Sequence, residues 1–210
     1  MTVTVSIEHD GADSARTGLE LCIAAGGVAI FPADGLYGLA CDPLNQAAID
    51  RIHQIKGRHD GKPSAVLYFS PLAMRELVEG LGDRTQDAVG ALLPGPVTLI
   101  VDNPEHRYPL ACREDPERLG LRLIDGPLAG MMWPVFQSSA NHSGEPAPAI
   151  FADVPRGILG AVDVAIDGGS LTGSPSTVID VTSLDSGGDW TILRQGGMSA
   201  EEVRERLGAP

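Results

Sequence analysis

Apolar residues in this chain fall in short bursts separated by Gly, Pro, Asn, Asp and Ser, and the period of each burst predicts its structure. TVTVSI (2–7) alternates and is β-branched, which predicts a strand. Residues 13–25 carry a helical repeat, with Asp13 or Ser14 as the expected cap and Gly26-Gly27 as the stop. GVAIFP (27–32) reads as a buried strand, and residues 33–43 as a glycine-punctuated turn followed by a short strand. Asn45 is placed to cap a helix whose Ile49, Ile52 and Ile55 share one face and which Gly57 ends. The pattern then predicts a strand at 64–69 and helices at 71–81 and 84–93. Further strands are expected at 96–102, 119–124 and 134–139, then a helix near 148–159. Strands at 162–167, 177–182 and 189–195 follow, and Ser199 with Glu202 forms a capping box for a last helix. Strands and helices are interspersed without strict alternation, which predicts an α/β or α+β fold with one twisted, mixed sheet flanked by helices. Neither a linker nor a repeat interrupts the pattern, so residues 1–210 are expected to form a single domain.

Composition narrows the function classes. The formal net charge of −13 opposes broad, non-specific nucleic-acid binding, which needs a basic face, but leaves room for a local basic pocket. Cys22, Cys41 and Cys112 are widely spaced and suggest neither a disulfide framework nor a zinc site, and no metal ligand set is predicted. The start of the chain lacks a signal-peptide pattern, and no apolar run approaches the roughly 18 residues of a membrane span. A cytoplasmic location is the resulting expectation. P-loop, dinucleotide-fold and G-x-S-x-G signatures are absent.

Against that background one stretch stands out. KGRHDGKP (56–63) holds the chain's only two lysines, Lys56 and Lys62, with Arg58 between them. A basic turn relieving a helix C-terminus is the ordinary reading. A phosphate site is the sharper one, because clustered cations repel unless a polyanion lies among them. Three other features carry donors at predicted strand ends. They are SSANHSGEPAP (138–148), SPSTVID (174–180) with Ser176 and Thr177 at a strand entry, and Arg194 after the apolar WTIL. Each also admits an ordinary turn or surface ion pair. Arg122 lies mid-strand in LGLRLI and must pair, emerge on a polar face or face a cavity. His59 and His142 read as surface histidines, and Asp34 and Tyr37 as turn and packing residues, with Asp34 able to fix a loop.

The ordered set FPADGLYGLACDP, KGRHDGKP, LLPGPVTLI, GLRL, SSANHSGEPAP, STVIDVT and ILRQG resembles the YrdC-like threonylcarbamoyl-AMP synthase family in its short, single-domain form. The resemblance implies a twisted α/β sheet around a concave cavity. It implies a reaction of ATP, L-threonine and bicarbonate to threonylcarbamoyl-AMP and pyrophosphate. A partner transferase complex then uses the product to modify a tRNA adenosine. Charge builds on the phosphates, so preplaced cations should dominate catalysis. By resemblance Lys56 and Arg58 are catalytic and grip the phosphates, and Lys62, Asn141 and Arg194 complete the ATP site. Gly35, Arg122, Ser139 and Ser176 hold the amino acid, and Mg²⁺ travels with ATP. The family's P-T-D-T is here Pro32-Ala33-Asp34-Gly35, so two hydroxyls are missing and looser amino-acid selection is expected. Threonine at position 35 should restore selection if the turn accepts a side chain. The family's K-P-L, R-x-P and R-P-G also change, to Lys62-Pro63-Ser64, Arg122-Leu123-Ile124 and Arg194-Gln195-Gly196. Two alternatives stay open: a divergent relative making another carbamoyl-adenylate, and a double-stranded-RNA-binding module, against which the net charge weighs.

Overall fold

The computed structural model describes residues 2–57 and 63–208. Ten strands form one sheet: β1 (Val3–Ser6), β2 (Ala29–Ala33), β3 (Leu36–Cys41), β4 (Ala65–Tyr68), β5 (Val97–Asp102), β6 (Arg118–Leu123), β7 (Val135–Ser139), β8 (Val164–Asp167), β9 (Thr177–Asp180) and β10 (Thr191–Arg194). Their spatial order is β1-β8-β2-β3-β7-β4-β6-β5-β9-β10. The sheet is mixed: β5 runs parallel to β9, with Val97 opposite Thr177, whereas β6 and β5 are antiparallel. The expected α/β class with a mixed sheet is what the chain adopts. The helices are α1 (Ile7–Asp10), α2 (Ala12–Ala24), α3 (Gln46–Lys56), α4 (Pro71–Glu79), α5 (Asp83–Leu92), α6 (Pro109–Cys112), α7 (Arg156–Leu159) and α8 (Ala200–Leu207).

Local signals explain several boundaries. Asn45 caps α3 by accepting from the Ala48 amide, and Gly57 closes that helix in the left-handed conformation. Ser199 and Glu202 form the reciprocal capping box of α8. Two expectations fail. The cap of α2 is Gly11, without a side-chain bond, because the helix begins before Asp13 and Ser14. The helix expected near 148–159 is a 3₁₀ turn at Phe151–Asp153 followed by the four-residue α7, since Pro155 separates them. Gly82, which precedes α5, has no side chain to cap it; the Asp185 carboxylate takes the cap's place, accepting from the amides of Arg84 (2.9 Å) and Thr85 (3.3 Å) and the Thr85 hydroxyl (2.5 Å).

The two faces of the sheet are covered unequally, and this decides where the site lies. Alternate strand residues, among them Leu39, Tyr68, Leu99, Leu121, Phe136 and Ile179, join the larger core with side chains from α3, α4, α5 and α8. On the other face α2 contributes Ala15, Leu19, Cys22 and Ile23 to a smaller core that includes Phe31, Leu67, Phe69, Ile124 and Val135. That core ends within β4, β6 and β7. The next positions of the same parity line a cavity instead.

Candidate active site

The cavity has a volume of about 320 Å³. The crossing strands supply residues two apart, as the pleat requires: Thr98 and Ile100 from β5, Gly120 and Arg122 from β6, Gln137 and Ser139 from β7, and Val178 from β9 with Ser176 just before it. Arg194 from β10 and the segment Ser174–Ser176 close one side, and Pro63 and Ser64 lie at another. In a chain of net charge −13, the charged side chains among the described lining residues are both arginines.

Arg122 is the deep end of this cavity and is only 4% exposed. It pairs with Asp34 through Nη2 (2.6 Å), and its Nη1 donates to Gln137 Oε1 (3.2 Å). Its Nε is buried and finds no hydrogen-bond acceptor among the described residues. Asp34 reaches it because β2 and β3 are joined by the two-residue turn Asp34–Gly35, in which Asp34 has φ 64°, a conformation Asp tolerates. Burial pushes the Asp34 carboxyl up, against the pull of Arg122, and lowers the guanidinium, against the pull of Asp34. Both directions record the same fact: this pair is held out of water.

On the opposite side Arg194 Nη2 donates to the Ser176 carbonyl (2.8 Å) and hydroxyl (3.2 Å), and the Ser176 hydroxyl also meets that of Thr98 (2.8 Å). The neighbouring Thr177 is fully buried; its hydroxyl donates to the Met198 carbonyl and accepts from the Gly196 and Met198 amides, which fixes the chain leaving β10.

Lys56 sits in the last turn of α3. It is not the solvated residue that a basic turn at a helix end would ordinarily hold: it is 3% exposed, because its stem follows the buried face of the helix. Its ammonium donates to the Ser139 carbonyl, to the Ser139 hydroxyl (3.2 Å) and to Asn141 Oδ1 (3.4 Å). Asn141 is also buried and donates to the carbonyls of His142 (2.8 Å) and Glu145 (2.6 Å). Lys56, Ser139 and Asn141 thus form one unit at the end of β7, with Ser139 on the cavity wall. Arg58 and Lys62 lie outside the described residues; Pro63, next to Lys62, lines the cavity. Gly35 is close-packed, not open: a Cβ there would stand 2.0 Å from the Ser174 carbonyl and 2.8 Å from the Thr172 hydroxyl.

The matched stretch spans most of this architecture. A family model covering Sua5, yciO and yrdC, described as telomere recombination, matches residues 22–196. The chain belongs to the Sua5/YciO/YrdC family. Within it, a threonylcarbamoyl-AMP synthase of Pyrococcus abyssi is 29% identical over 197 residues, 89% of this chain and 55% of that protein. A threonylcarbamoyl-AMP synthase of Marinobacter nauticus is 30% identical over 169 residues, 77% of this chain and 88% of that protein. The crystal structure of P. abyssi Sua5 complexed with L-threonine has a TM-score of 0.83 at 26% identity, covering 99% of this chain and 61% of that one. The chain therefore spans little more than half the length of the P. abyssi protein.

The sequence did not point to Asp34 as the partner of Arg122, nor to Gln137, Thr98 and Ser174 as cavity residues. For Gln137 a signal existed: it interrupts the otherwise apolar PVFQ run at the parity that Ser139 shares.

Proposed function

We propose that this protein is an L-threonylcarbamoyladenylate synthase, converting ATP, L-threonine and bicarbonate to threonylcarbamoyl-AMP and pyrophosphate for a tRNA-modifying transferase. In this reading bicarbonate gives up hydroxide to yield CO₂, the threonine amine adds to the CO₂ carbon to give a carbamate, and the proton released from the amine leaves with that hydroxide as water. A carbamate oxygen then attacks the α-phosphorus, and the bond to the bridging oxygen breaks to release pyrophosphate. Lys56 holds Ser139 and Asn141 in place at the phosphate end, where Arg58 and Lys62 supply further charge. Arg194 and Asn141 contact the nucleotide. Arg122, Ser139 and Ser176 hold the amino acid. Cations fixed beforehand favour the charge that develops on the α-phosphate and on the leaving group, so no side-chain nucleophile is required. Mg²⁺ enters with ATP as part of the substrate.

The observation that carries this reading is Arg122, a buried guanidinium on the wall of a polar cavity whose other charged residue, among those described, is Arg194. A cavity lined by two guanidinium groups suits an anionic ligand. The test is product analysis with labelled bicarbonate, ATP and a panel of amino acids. Labelled threonylcarbamoyl-AMP with stoichiometric pyrophosphate is the expected result. Pyrophosphate release that ignores bicarbonate and every amino acid would overturn it.

A further inference from the structure

Gln137 projects from β7 into the cavity, next to Gly38 of β3. A side chain at position 38 would crowd it, since a Cβ there would lie 3.1 Å from Gln137 Nε2 and 3.0 Å from the Phe31 ring. The orientation of its carboxamide is fixed by its neighbour. A guanidinium only donates, so the atom facing Arg122 Nη1 has to be Oε1, and the NH₂ has to point elsewhere. Among the described residues the Gln137 side chain is given one hydrogen bond, the one its Oε1 accepts from Arg122 Nη1, so its NH₂ is left to donate into the cavity. Asp34 already accepts from Arg122 Nη2. The cavity wall therefore sets two donor groups of different kinds side by side, the cationic Arg122 guanidinium and the neutral Gln137 carboxamide. A planar group with two acceptor oxygens suits such a pair.

We infer that Gln137 is a specificity-determining residue, whose carboxamide NH₂ joins the Arg122 guanidinium in reading the carboxylate of the amino-acid substrate. This rests on the synthase reading given above. The neutral donor adds a demand that Arg122 alone does not make. Arg122 attracts any anion, whereas a donor fixed by the bond from Nη1 rejects a ligand that brings its own N–H to the same place.

The experiment compares L-threonine with L-threoninamide, which replaces one carboxylate oxygen by NH₂. Binding to the intact protein is measured calorimetrically, alongside KM and kcat for pyrophosphate release. In Gln137→Glu the donor becomes an acceptor of nearly the same shape. Threonine affinity is expected to fall by about 100-fold or more, while threoninamide holds or improves and the KM for ATP is unchanged. Gln137→Met removes the donor without adding charge and should raise the threonine KM by about 10- to 100-fold with kcat nearly intact. If Glu and Met variants with native thermal unfolding bind threonine as the wild type does, or lose threonine and threoninamide in parallel, Gln137 does not read the carboxylate. A wild type that binds neither compound removes the synthase reading itself, an outcome distinct from either of these.

Discussion

Gly35 offers a sharp test of how the cavity wall is built. The sequence suggests that threonine at this position would restore a missing substrate contact. The geometry predicts the reverse. Gly35 is not in the left-handed region, so its φ does not demand glycine; the obstacle is the Ser174 carbonyl, 2.0 Å from where a Cβ would stand. Real Cβ contacts do not fall below 3.0 Å, so the 172–174 segment would have to withdraw by about 1 Å, and a backbone carbonyl has no rotamer by which to do so. The same segment is tied to the turn by the Gly173 amide, which donates to the Gly35 carbonyl at 2.9 Å. Overpacking of this kind costs roughly 1–3 kcal/mol, and the strained hydrogen bond adds about 1 kcal/mol. For a chain of this size, Gly35→Ala should therefore lower the melting temperature by about 5–15 °C. Calorimetry gives the shift, and hydrogen exchange at the Gly173 amide shows where the structure opens. Threonine adds a branch beyond the Cβ and should be worse than alanine in both stability and substrate affinity. An alanine variant that melts with the wild type and keeps the Gly173 amide protected would refute the argument.

Asp34→Ala leaves Arg122 buried without its counter-charge, so urea unfolding should show a loss of about 3–5 kcal/mol, against a much smaller change for the exposed Asp125→Ala. Lys56→Ala removes the anchor of Ser139 and Asn141 and should lower pyrophosphate release by roughly 10²–10³; Lys56→Arg should not rescue it, since a planar fork cannot follow the same three acceptors. Asp185→Ala uncaps α5 and should cost about 0.5–2 kcal/mol at neutral pH. The Thr85 hydroxyl bond and the Arg84 and Thr85 amides hold the Asp185 carboxyl below its usual value, so its contribution is complete above the ordinary carboxylate range and disappears as pH falls through the depressed value. The difference between wild type and this variant should accordingly shrink on acidification, as read by denaturant titrations across that range.

What the sequence disclosed was whatever neighbouring residues decide. The Asn45 cap, the Gly57 stop and the Ser199–Glu202 box each act within one helical turn, and the strands announced themselves by alternation. Pro155 was as visible as these, and it divides the expected helix into a 3₁₀ turn and α7, from which Phe151 and Ile158 both still pack against the larger core. Contacts made across the fold left no local trace. Asp34 and Arg122 are 88 residues apart, and Asp185 caps a helix 100 residues before it; each looks like a common surface or turn residue in its own context. Arg122 was legible as a residue that needed an explanation, because a guanidinium among leucines is costly anywhere. Which partner met that need was not.

The parallel seam between β5 and β9 bears on the order of events in folding. Residues 97–100 and 177–180 pair directly, with no turn to bring them together, and the cavity has no second wall until they do. Closing so long a stretch of chain carries its entropic cost before any contact offsets it, which places such a seam among the slow steps of a folding reaction. A substrate that needs both walls then has nothing to hold in the transition state if the seam forms last. Refolding rates measured with and without ATP should coincide, while unfolding should slow as ATP rises, so that the ligand acts as a brake on escape from the native state and not as a guide into it.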